Sequence, residues 1–537
     1  MKQRWAPDMG WKDWFKSDAE RLAWRVPELR GDAQDASGYV AAHDPQRAAE
    51  LLDRLPRGVD VIRSQIDRKE RARFARASEI AAFRYKPGDV LIGKHNGYLI
   101  GMGGDKPLLT AASARSGKTS TVLKPTLLTY PGSMVVLDPK GELAAATAEH
   151  RRKHLKQDVF VVDPHSSSKL PAASFNPLAE LDPTAPTILD DVDLMAETMI
   201  LDDNGGADGS HWTSSARALL RGLILHALQL PETDRNLVVV RQLLTLTYRS
   251  LLEMLQELKN SGSKDPAEAT QNALFMRMAE QADVFGGALA AAGNSFLRKA
   301  SRERSGIIST ADAQLKFLDS LPLQASLRTS DFRLSALAER PTTIYLCLPS
   351  SHMTTQFRWL RIIVRFALLA LEKRGTWPRG KPHVLFMMEE FPVLGHMPIM
   401  EQAAAYFPGF GVRLWAVVQD LSQIEHYYPK TYQTFLGNAG VQQYFANGDQ
   451  KTLKHISDSM GSLSFVRGQF GNLQDDKARD YIDKERLLYP EECAAAFARS
   501  TGAQLLMIEG QPPMAIERLT FEDVDALRLR VEAGQVA

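Results

Sequence analysis

The feature that most constrains the fold of this chain is a short loop motif, the segment 112–119 with the sequence ASARSGKT. Gly117, Lys118 and Thr119 match the second half of the pattern G-x-x-x-x-G-K-[ST]. In such loops the backbone N–H groups surround phosphate oxygens, the lysine reaches the β- and γ-phosphates, and the hydroxyl, here that of Thr119, binds Mg²⁺. Ala112 stands where the pattern has its first glycine, so the match is incomplete. We refer to this segment as the P-loop.

The sequence on either side of the P-loop supports the assignment. A strand-like apolar run, Leu108–Ala111, precedes it, and a helical pattern, Ser120–Tyr130, follows it. A helix N-terminus favours a bound anion; the alternative is a chance G-K-T in a loop. We therefore predict a P-loop nucleoside triphosphatase. The residues predicted to bind the nucleotide are Ala112, Ser113, Ala114, Arg115, Ser116, Gly117, Lys118, Thr119 and Ser120.

Polar residues that end two later apolar runs are candidates for the chemistry. Glu389 and Glu390 follow the run Val384–Met388, and Gln419 follows the run Leu414–Val418. We assign Glu389 to Mg²⁺, usually through water, and Glu390 to polarising the attacking water. Gln419 can contact the γ-phosphate or that water and relay the nucleotide state. The alternatives are two surface acids at an exposed strand end and a glutamine in a turn.

A third polar group, DPKGE at Asp138–Glu142, follows the apolar run Met134–Leu137. In open α/β sheets ligands bind beyond the carboxyl ends of the strands. Asp138, Lys140 and Glu142 therefore line the nucleotide cleft or a subunit boundary, or else form a capped turn. The sequence leaves these alternatives open.

Short apolar runs alternate with helical patterns from residue 86 onward. Runs of about four to eight apolar residues between turn residues are typical of strands buried on both faces, and their alternation with helices predicts parallel βαβ units. We therefore predict an α/β fold with a mostly parallel central sheet. The predicted strands are Leu108–Ala111, Met134–Leu137, Val159–Val162, Ile344–Leu348, Val384–Met388, Leu414–Val418, Gln443–Ala446 and Leu505–Ile508.

The alternation stops between residues 183 and 330, where one helical pattern follows another. This stretch is too long for a loop without structure of its own. We predict that 183–330 is an all-α domain inserted into a nucleotide-binding domain formed by 86–182 and 331–537. The predicted helices are Ile188–Leu201, Trp212–Leu230, Arg241–Lys259, Asp265–Phe285 and Ala288–Gly306.

Residues 1–85 are charged and have a helical pattern. The formal net charge of the chain is only +1, so any nucleic-acid site must be local. Val61–Ile80 and Phe296–Arg304 are the dense basic clusters; the former could bind nucleic acid or an acidic membrane surface, although a solvated helix face is the simpler interpretation. Binding of either to phosphates would be independent of sequence and sensitive to salt.

Cysteine content and hydropathy indicate the compartment. The two cysteines, Cys347 and Cys493, support neither a disulfide framework nor a zinc site, and we expect both in the core of a protein from a reducing compartment. No segment reaches the roughly 18 uninterrupted apolar residues of a membrane span, and the N-terminus lacks a signal-peptide pattern. We expect a cytoplasmic protein that is soluble by itself.

These motifs together resemble those of the type IV coupling proteins, the TraG/TraD-type ATPases of conjugation and type IV secretion. The similarity covers roughly residues 86–525 in order. It is carried by SARSGKTSTVLKPTLLTYPGSMVVLDPKGEL (113–143), VVDPHSS…SFNPL (161–178), HWTSSARALLRGLILHAL (211–228), TIYLCLP (343–349), LFMMEEFPVLGHMPIMEQAAAYFPGFGVRLWAVVQDLSQIEHYY (385–428) and LLYPEE…QLLMIEGQPPM (487–514).

The resemblance implies a RecA-like motor domain with an inserted all-α domain that contacts substrates. It implies homohexameric rings at the cytoplasmic mouth of a secretion channel in the bacterial inner membrane, recruiting relaxase–DNA complexes or protein effectors with their chaperones, and using ATP and Mg²⁺ to drive transfer. By position, Lys118 and Thr119 are the nucleotide-binding pair, Glu390 is the catalytic acid and Gln419 is the sensor.

The sequence also departs from the family pattern. The acid pair is Glu-Glu at 389–390 rather than Asp-Glu, and the usual N-terminal transmembrane pair is missing, so we expect a separate anchor subunit or docking by residues 1–85. A ring ATPase usually needs an arginine from the neighbouring subunit. Arg413, Arg358 and Arg361 are the candidates, each of which is also a plausible packing residue.

Two other functions remain open at this point. One is a double-stranded DNA pump of the FtsK/HerA type, against which the inserted helices and the C-terminal segment argue. The other is an adaptor that binds nucleotide structurally, recruits effectors and hydrolyses little, which Ala112 and Glu389 keep open.

Overall fold

An eleven-stranded sheet forms the centre of the protein in the computed structural model, which describes residues 72–202, 206–248, 266–467 and 481–533. The strand order is β2-β1-β13-β12-β9-β3-β8-β7-β4-β6-β5, and β10 and β11 pair separately. The strands are β1 Val90–His95, β2 Tyr98–Met102, β3 Leu108–Ala112, β4 Met134–Leu137, β5 Asp158–Val162, β6 Thr342–Leu346, β7 Val384–Met388, β8 Val412–Val418, β9 Val441–Phe445, β10 Ser462–Arg467, β11 Tyr481–Arg486, β12 Ala503–Ile508 and β13 Met514–Glu517.

The part of the sheet from β9 to β5 consists entirely of parallel pairs. Strands β3, β4, β6, β7 and β8 are buried at every residue, which explains why their sequences are mostly continuous apolar runs. All eight predicted strands are present, and their ends differ from the prediction by at most two residues. The predicted α/β fold with a mostly parallel sheet is confirmed.

The remaining part of the sheet is antiparallel, and most of it was not predicted. Strand β12 pairs with β9 and β13, and β1 pairs with β13 and β2, all antiparallel. Glycine interrupts the hydrophobic pattern of β1 because the chain passes close to its neighbours there. A Cβ on Gly93 would lie 2.3 Å from Gln504 Nε2 and 2.7 Å from Glu517 O, so only glycine fits.

A buried chain of side-chain hydrogen bonds joins the parallel and antiparallel parts. Trp415 Nε1 donates to Thr110 Oγ1 at 2.9 Å, and Thr110 Oγ1 donates to Gln443 Oε1 at 2.7 Å. Gln443 Nε2 then donates to Gln504 Oε1 at 2.5 Å. A slip of one residue in the strand pairing would leave these buried groups without partners. These hydrogen bonds therefore fix the register of β3, the strand that leads into the P-loop.

Helices cover both faces of the sheet and fill the connection between β5 and β6. The first helices are α1 Ala77–Ala81, α2 Lys124–Thr129 and α3 Glu142–Lys153. Those between β5 and β6 are α4 Ile188–Met199, α5 Gly206–Ala227, α6 Leu237–Leu244, α7 Pro266–Ala279, α8 Ala288–Leu297, α9 Ser301–Leu315, α10 Leu321–Leu327 and α11 Ala336–Glu339. The others are α12 Ser350–Arg374, α13 Pro398–Ala405, α14 Leu421–Tyr427, α15 Tyr432–Asn438, α16 Gln450–Met460, α17 Pro490–Ala496 and α18 Phe521–Glu532. Helix α4 packs on α12, so the helical segment shares a core with the sheet.

Four predicted helices have the wrong extent. Those predicted at Trp212–Leu230 and Asp265–Phe285 are Gly206–Ala227 and Pro266–Ala279 in the structure, and the other two are cut short or interrupted. The helix predicted at Arg241–Lys259 begins earlier and ends at Leu244, because Leu246 adopts a left-handed backbone with φ of +56°; residues 249–265 lie outside the described residues. The helix predicted at Ala288–Gly306 is two helices, since Ala300 is extended and starts α9. Hydrophobic periodicity continues through such breaks, so the sequence did not reveal them.

The predicted helical region 1–85 is described only from residue 72, and most of the basic cluster Val61–Ile80 lies outside that part. Residues 72–76 are not helical; Arg73 instead forms two hydrogen bonds of 2.7 Å with Glu79 in the short helix α1. Within the described ranges no helix combines the length and apolar character needed to span a bilayer. Cys347 and Cys493 are buried in the core, as predicted.

Candidate nucleotide-binding site

The P-loop leaves the carboxyl end of β3 and turns into a helix. Gly117 has φ of +91°, a conformation that strains any residue with a Cβ, so the turn requires this glycine of the motif. Ser120 N and Thr121 N donate to Gly117 O at 3.1 and 2.9 Å and start the helix. Its first turn, Thr119–Leu123, is π-helical and continues into α2. The strand, loop and helix predicted around the motif are thus present.

The order of the strands brings the predicted residues to one edge of the sheet. β3 pairs with β8, β8 with β7, and β7 with β4. Residues that directly follow these parallel strands therefore lie beside one another. They are Ser113 of the P-loop, Gln419, Glu389 and Asp138.

Thr119 and Glu389 contact each other across this edge. Thr119 Oγ1 donates a hydrogen bond of 2.6 Å to Glu389 Oε1. Burial raises the pKa of Glu389 to about 7, and the hydrogen bond from Thr119 opposes that shift. Hydroxyl and carboxylate oxygens are the hard ligands that Mg²⁺ prefers, and a cation beside Glu389 would favour its charged form. The donor set therefore fits Mg²⁺.

Glu390 and Gln419 form a second contact. Gln419 Nε2 donates to Glu390 Oε1 at 2.9 Å, and Gln419 N donates to Gln423 Oε1 at 2.9 Å. Glu390 has φ of +65°, a left-handed backbone that costs a residue with a Cβ about 1–2 kcal/mol. Strain of this kind at a non-glycine residue is concentrated at functional sites. The strained turn and the amide together fix the Glu390 carboxylate.

Lys118 lies near both acids. Its side chain is buried, and Nζ donates a long hydrogen bond of 3.4 Å to Ala112 O. Burial lowers the pKa of Lys118, whereas the negative charges of Glu390 and Glu389 raise it. The ammonium is therefore held in a partly desolvated position, where interaction with a phosphate is stronger than in water.

The motif Asp138–Glu142 combines features of the two interpretations that the sequence left open. Asp138 is fully buried, and its Oδ2 accepts a hydrogen bond of 2.7 Å from Ala144 N at the start of α3, as in a capped turn. Its burial raises the pKa of Asp138 to about 6, and its charge raises the pKa of neighbouring Glu389. Lys140 and Glu142 are exposed.

Arg518, which the sequence gave no reason to single out, braces the P-loop. Its guanidinium donates from Nη1 to Ser116 O and from Nη2 to Arg499 O, each at 2.7 Å. The same group lies 4.8 Å from the ring centroid of Phe445. Arg518 directly follows β13, so only the antiparallel part of the sheet brings it to the loop.

The loop after β9 contacts the P-loop from the same side. Asn447 Nδ2 donates to Ala111 O at 3.1 Å, and Ser113 Oγ donates to Ala446 O. A cavity of about 420 Å³ opens beside the P-loop, and its lining includes Gln419, Asn447 and Arg499. The sequence contained no motif for these contacts.

The structure excludes two of the three arginines considered for action on a neighbouring subunit. Arg413 is buried and donates to the backbone oxygens of Lys106, Met102 and Gly103. Arg361 is buried and donates to Leu394 O and His396 O. Both guanidiniums hold backbone inside their own subunit.

Comparison with known proteins identifies the family. The profile of the family described as type IV secretory system conjugative DNA transfer matches residues 67–533. The chain belongs to this family. The predicted relationship to the type IV coupling proteins is therefore confirmed.

Relatives of the chain include conjugal transfer proteins TraG of Escherichia coli. One is 28% identical, covering 95% of this chain and 81% of its own length, and another is 27% identical, covering 73% and 62%. The type IV secretion system coupling protein VirD4 of Bartonella quintana is 25% identical, covering 78% and 65%. This chain thus spans less than two thirds of the second and third relatives.

Solved structures of the plasmid coupling protein TrwB have a similar fold. The unbound form of TrwBdeltaN70 matches with a TM-score of 0.60 at 15% identity, covering 83% of this chain and 92% of that one. TrwB in complex with ADP and Mg²⁺ matches with a TM-score of 0.60 at 16% identity, covering 84% and 94%. The RecA-like fold is thereby confirmed.

Proposed function

We propose that this chain is an ATP-hydrolysing coupling protein, which recruits substrates to a type IV secretion channel and drives their transfer. The observation that carries the proposal is the meeting of the P-loop, the acid pair and Gln419 at one edge of the sheet. Membership of the conjugative DNA transfer family and the solved complexes of TrwB with ADP, Mg²⁺ and an ATP analogue support it.

In the proposed mechanism the P-loop binds the nucleotide. Its backbone N–H groups surround the phosphates, and Lys118 neutralises charge on the β- and γ-phosphates. Thr119 and Glu389 would hold Mg²⁺, which offsets the charge that develops on the phosphates. Desolvation around Lys118 strengthens its attraction to the nucleotide.

Glu390 is the proposed group that orients and activates the attacking water. Its carboxylate carries a hydrogen bond from Gln419 on one oxygen, which leaves the other free to accept from water. Gln419 is a positioning residue in this arrangement. It follows β8, the strand between those that lead to the P-loop and to the acids, so a shift caused by the γ-phosphate would pass to α14 through Gln423.

Each predicted domain has its own role in the proposed function. Residues 86–182 and 331–537 form the motor domain, and 183–330 form the all-α domain that contacts substrates. We propose homohexameric assembly at the cytoplasmic face of the inner membrane, with relaxase–DNA complexes or protein effectors as cargo and a separate subunit as the anchor. Supporting this, the described residues between β5 and β6 contain a succession of helices and no strand.

The test of hydrolysis is a comparison of steady-state ATPase rates for the wild type, Lys118→Ala and the control Lys153→Ala. Lys153 is exposed on α3, so this variant should keep the wild-type rate. Lys118→Ala should fall to the no-enzyme background because the phosphates lose their charge partner. Equal rates for the wild type and Lys118→Ala would refute the enzyme assignment.

A second measurement separates a motor from an adaptor. Tight ATP binding by the wild type, with a rate no higher than that of Lys118→Ala, would favour an adaptor that binds nucleotide structurally. Adding salt to cargo-binding assays separates the substrate classes, since phosphate-dominated DNA binding weakens steeply with salt. A salt-insensitive interaction would favour protein cargo.

A further inference from the structure

Two histidines and a carboxylate lie close together beside α2, the helix that continues from the P-loop. His150 lies in the last turn of α3, His154 directly follows that helix as its C-cap, and Glu532 is the last residue of α18. One ligand atom from each lies within 4.8 Å of the other two. The imidazole rings are tilted by 31° with their centroids 5.1 Å apart. None of the three takes part in the proposed nucleotide chemistry.

The hydrogen bonding of His150 leaves one ring nitrogen for a further ligand. His150 Nε2 lies 3.1 Å from Leu128 O, and because a carbonyl only accepts, Nε2 carries a hydrogen. Its side chain is 4% exposed, and Nδ1 has no hydrogen-bond partner among the described residues. A backbone carbonyl on the opposite nitrogen is the usual arrangement around a metal-binding histidine, since it fixes the orientation of the ring.

The distance from His150 Nδ1 to its nearest acidic oxygen also fits a shared ion. Glu532 Oε1 lies 3.6 Å from Nδ1, too far for a hydrogen bond. Two ligands of a tetrahedral Zn²⁺, each about 2.1 Å from the metal, are separated by about 3.4 Å. His154 is exposed and Glu532 partly so. Both side chains can therefore change rotamer and bring their ligand atoms from at most 4.8 Å apart to the separation that a shared ion requires.

We propose that His150, His154 and Glu532 form a binding site for a divalent transition-metal ion such as Zn²⁺, with water as the fourth ligand. Two imidazoles and one carboxylate suit Zn²⁺ and related ions, whereas Mg²⁺ prefers oxygen ligands throughout. The site is therefore chemically distinct from the Mg²⁺ site at the P-loop and is independent of the proposed function.

The position of the site indicates how a bound ion would affect the stability of the protein. Leu128, whose carbonyl faces His150, belongs to α2, the helix that continues from the P-loop. Its side chain joins Leu91, Leu519, Val524 and Leu527 in a small core that holds α18 against α2. An ion at the end of α18 would tie that helix to α3 and α2, and so stabilise the packing behind the P-loop by mass action.

The test uses the full-length, nucleotide-free protein in excess Mg²⁺, titrated with Zn²⁺ after treatment with a chelator. We expect one tightly bound Zn²⁺ per chain and a rise in Tm. Co²⁺ in its place should give the visible absorption bands of a tetrahedral site with nitrogen ligands. His154→Ala and Glu532→Gln should each weaken Zn²⁺ binding by at least about tenfold, because each removes a ligand without disturbing the core.

Matched controls separate this site from adventitious binding. His426→Ala removes an exposed histidine elsewhere, and Asp525→Asn removes an exposed carboxylate from the same helix α18. Both should bind Zn²⁺ as the wild type does. Absence of the tight ion in the wild type, or wild-type affinity in both His154→Ala and Glu532→Gln, would overturn the proposal.

Discussion

Replacing Arg518 by methionine tests whether the P-loop is held in shape by the antiparallel part of the sheet. Arg518 is buried, and among the described residues its guanidinium contacts Ser116 O, Arg499 O and the ring of Phe445. Methionine keeps much of the apolar stem but has no donor. The substitution therefore removes the hydrogen bond to Ser116 O. The methionine side chain still occupies most of the volume of the arginine, so no large cavity forms.

The expected size of the effect differs between folding and binding. Each hydrogen bond from a charged donor contributes about 1.5–3 kcal/mol, but burial lowers the pKa of Arg518, so the folded state already carries a desolvation penalty that methionine removes. We expect the free energy of unfolding to fall by only about 1–2 kcal/mol. ATP affinity should fall about tenfold, which corresponds to about 1.4 kcal/mol of lost loop order.

The assay is a fluorescence titration with an ATP analogue, together with denaturant unfolding of the same samples. Arg528→Met is the control, since Arg528 is exposed on α18 and pairs only weakly with Asp525 at 3.8 Å. Wild-type nucleotide affinity in Arg518→Met would refute the reasoning. So would unfolding of that variant under conditions where Arg528→Met is folded, because it would make Arg518 a residue of general stability.

Further predictions concern catalysis, packing and pH. Glu390→Gln should abolish turnover and keep ATP affinity, and Gln419→Ala should lower kcat more than it raises KM; steady-state kinetics and ATP titration check both. Arg413→Met should lower the free energy of unfolding by about 2–3 kcal/mol, because three carbonyls lose a donor, and denaturant titration measures this. Burial lowers the pKa of His226 to about 4. The unfolded chain therefore binds more protons between about pH 6.5 and 4, so stability should fall by up to about 3 kcal/mol as the pH drops through that window. Thermal melts of wild type and His226→Leu across this range should show a flatter profile for the variant.

The parallel core was predictable because burial on both faces leaves a strong pattern in the sequence. Met134–Leu137 and Val384–Met388 match the structure residue for residue, and the ends of the other predicted strands differ by at most two residues. The antiparallel strands left a weaker pattern. Gly93 interrupts β1 because Gln504 approaches it, and the sequence records such an approach only as a missing hydrophobic residue.

The part of the candidate site that follows the parallel strands was also predictable from the sequence. Thr119, Glu389, Glu390 and Gln419 follow parallel strands, and parallel strands bring their carboxyl ends to one edge. Arg518 follows an antiparallel strand and reaches Ser116 across 402 residues of chain. No local pattern encodes that contact. Two of the arginine candidates, Arg413 and Arg361, were wrong for a different reason, since a position beside a strand does not show whether the side chain points into the subunit.

Glu389 is one methylene longer than the aspartate that the family pattern has at this position, which raises a doubt about whether its carboxylate is placed to bind Mg²⁺. The strand order bears on that doubt. Strand β8 lies between β3, which leads to Thr119, and β7, which leads to Glu389, so the acid must reach across one strand. Glu389 Oε1 ends 2.6 Å from Thr119 Oγ1, and an aspartate would stop about 1.5 Å short of it on the same backbone. The extra methylene therefore brings the carboxylate to the hydroxyl that it would share with Mg²⁺, and the departure from the family pattern is not by itself an argument against hydrolysis.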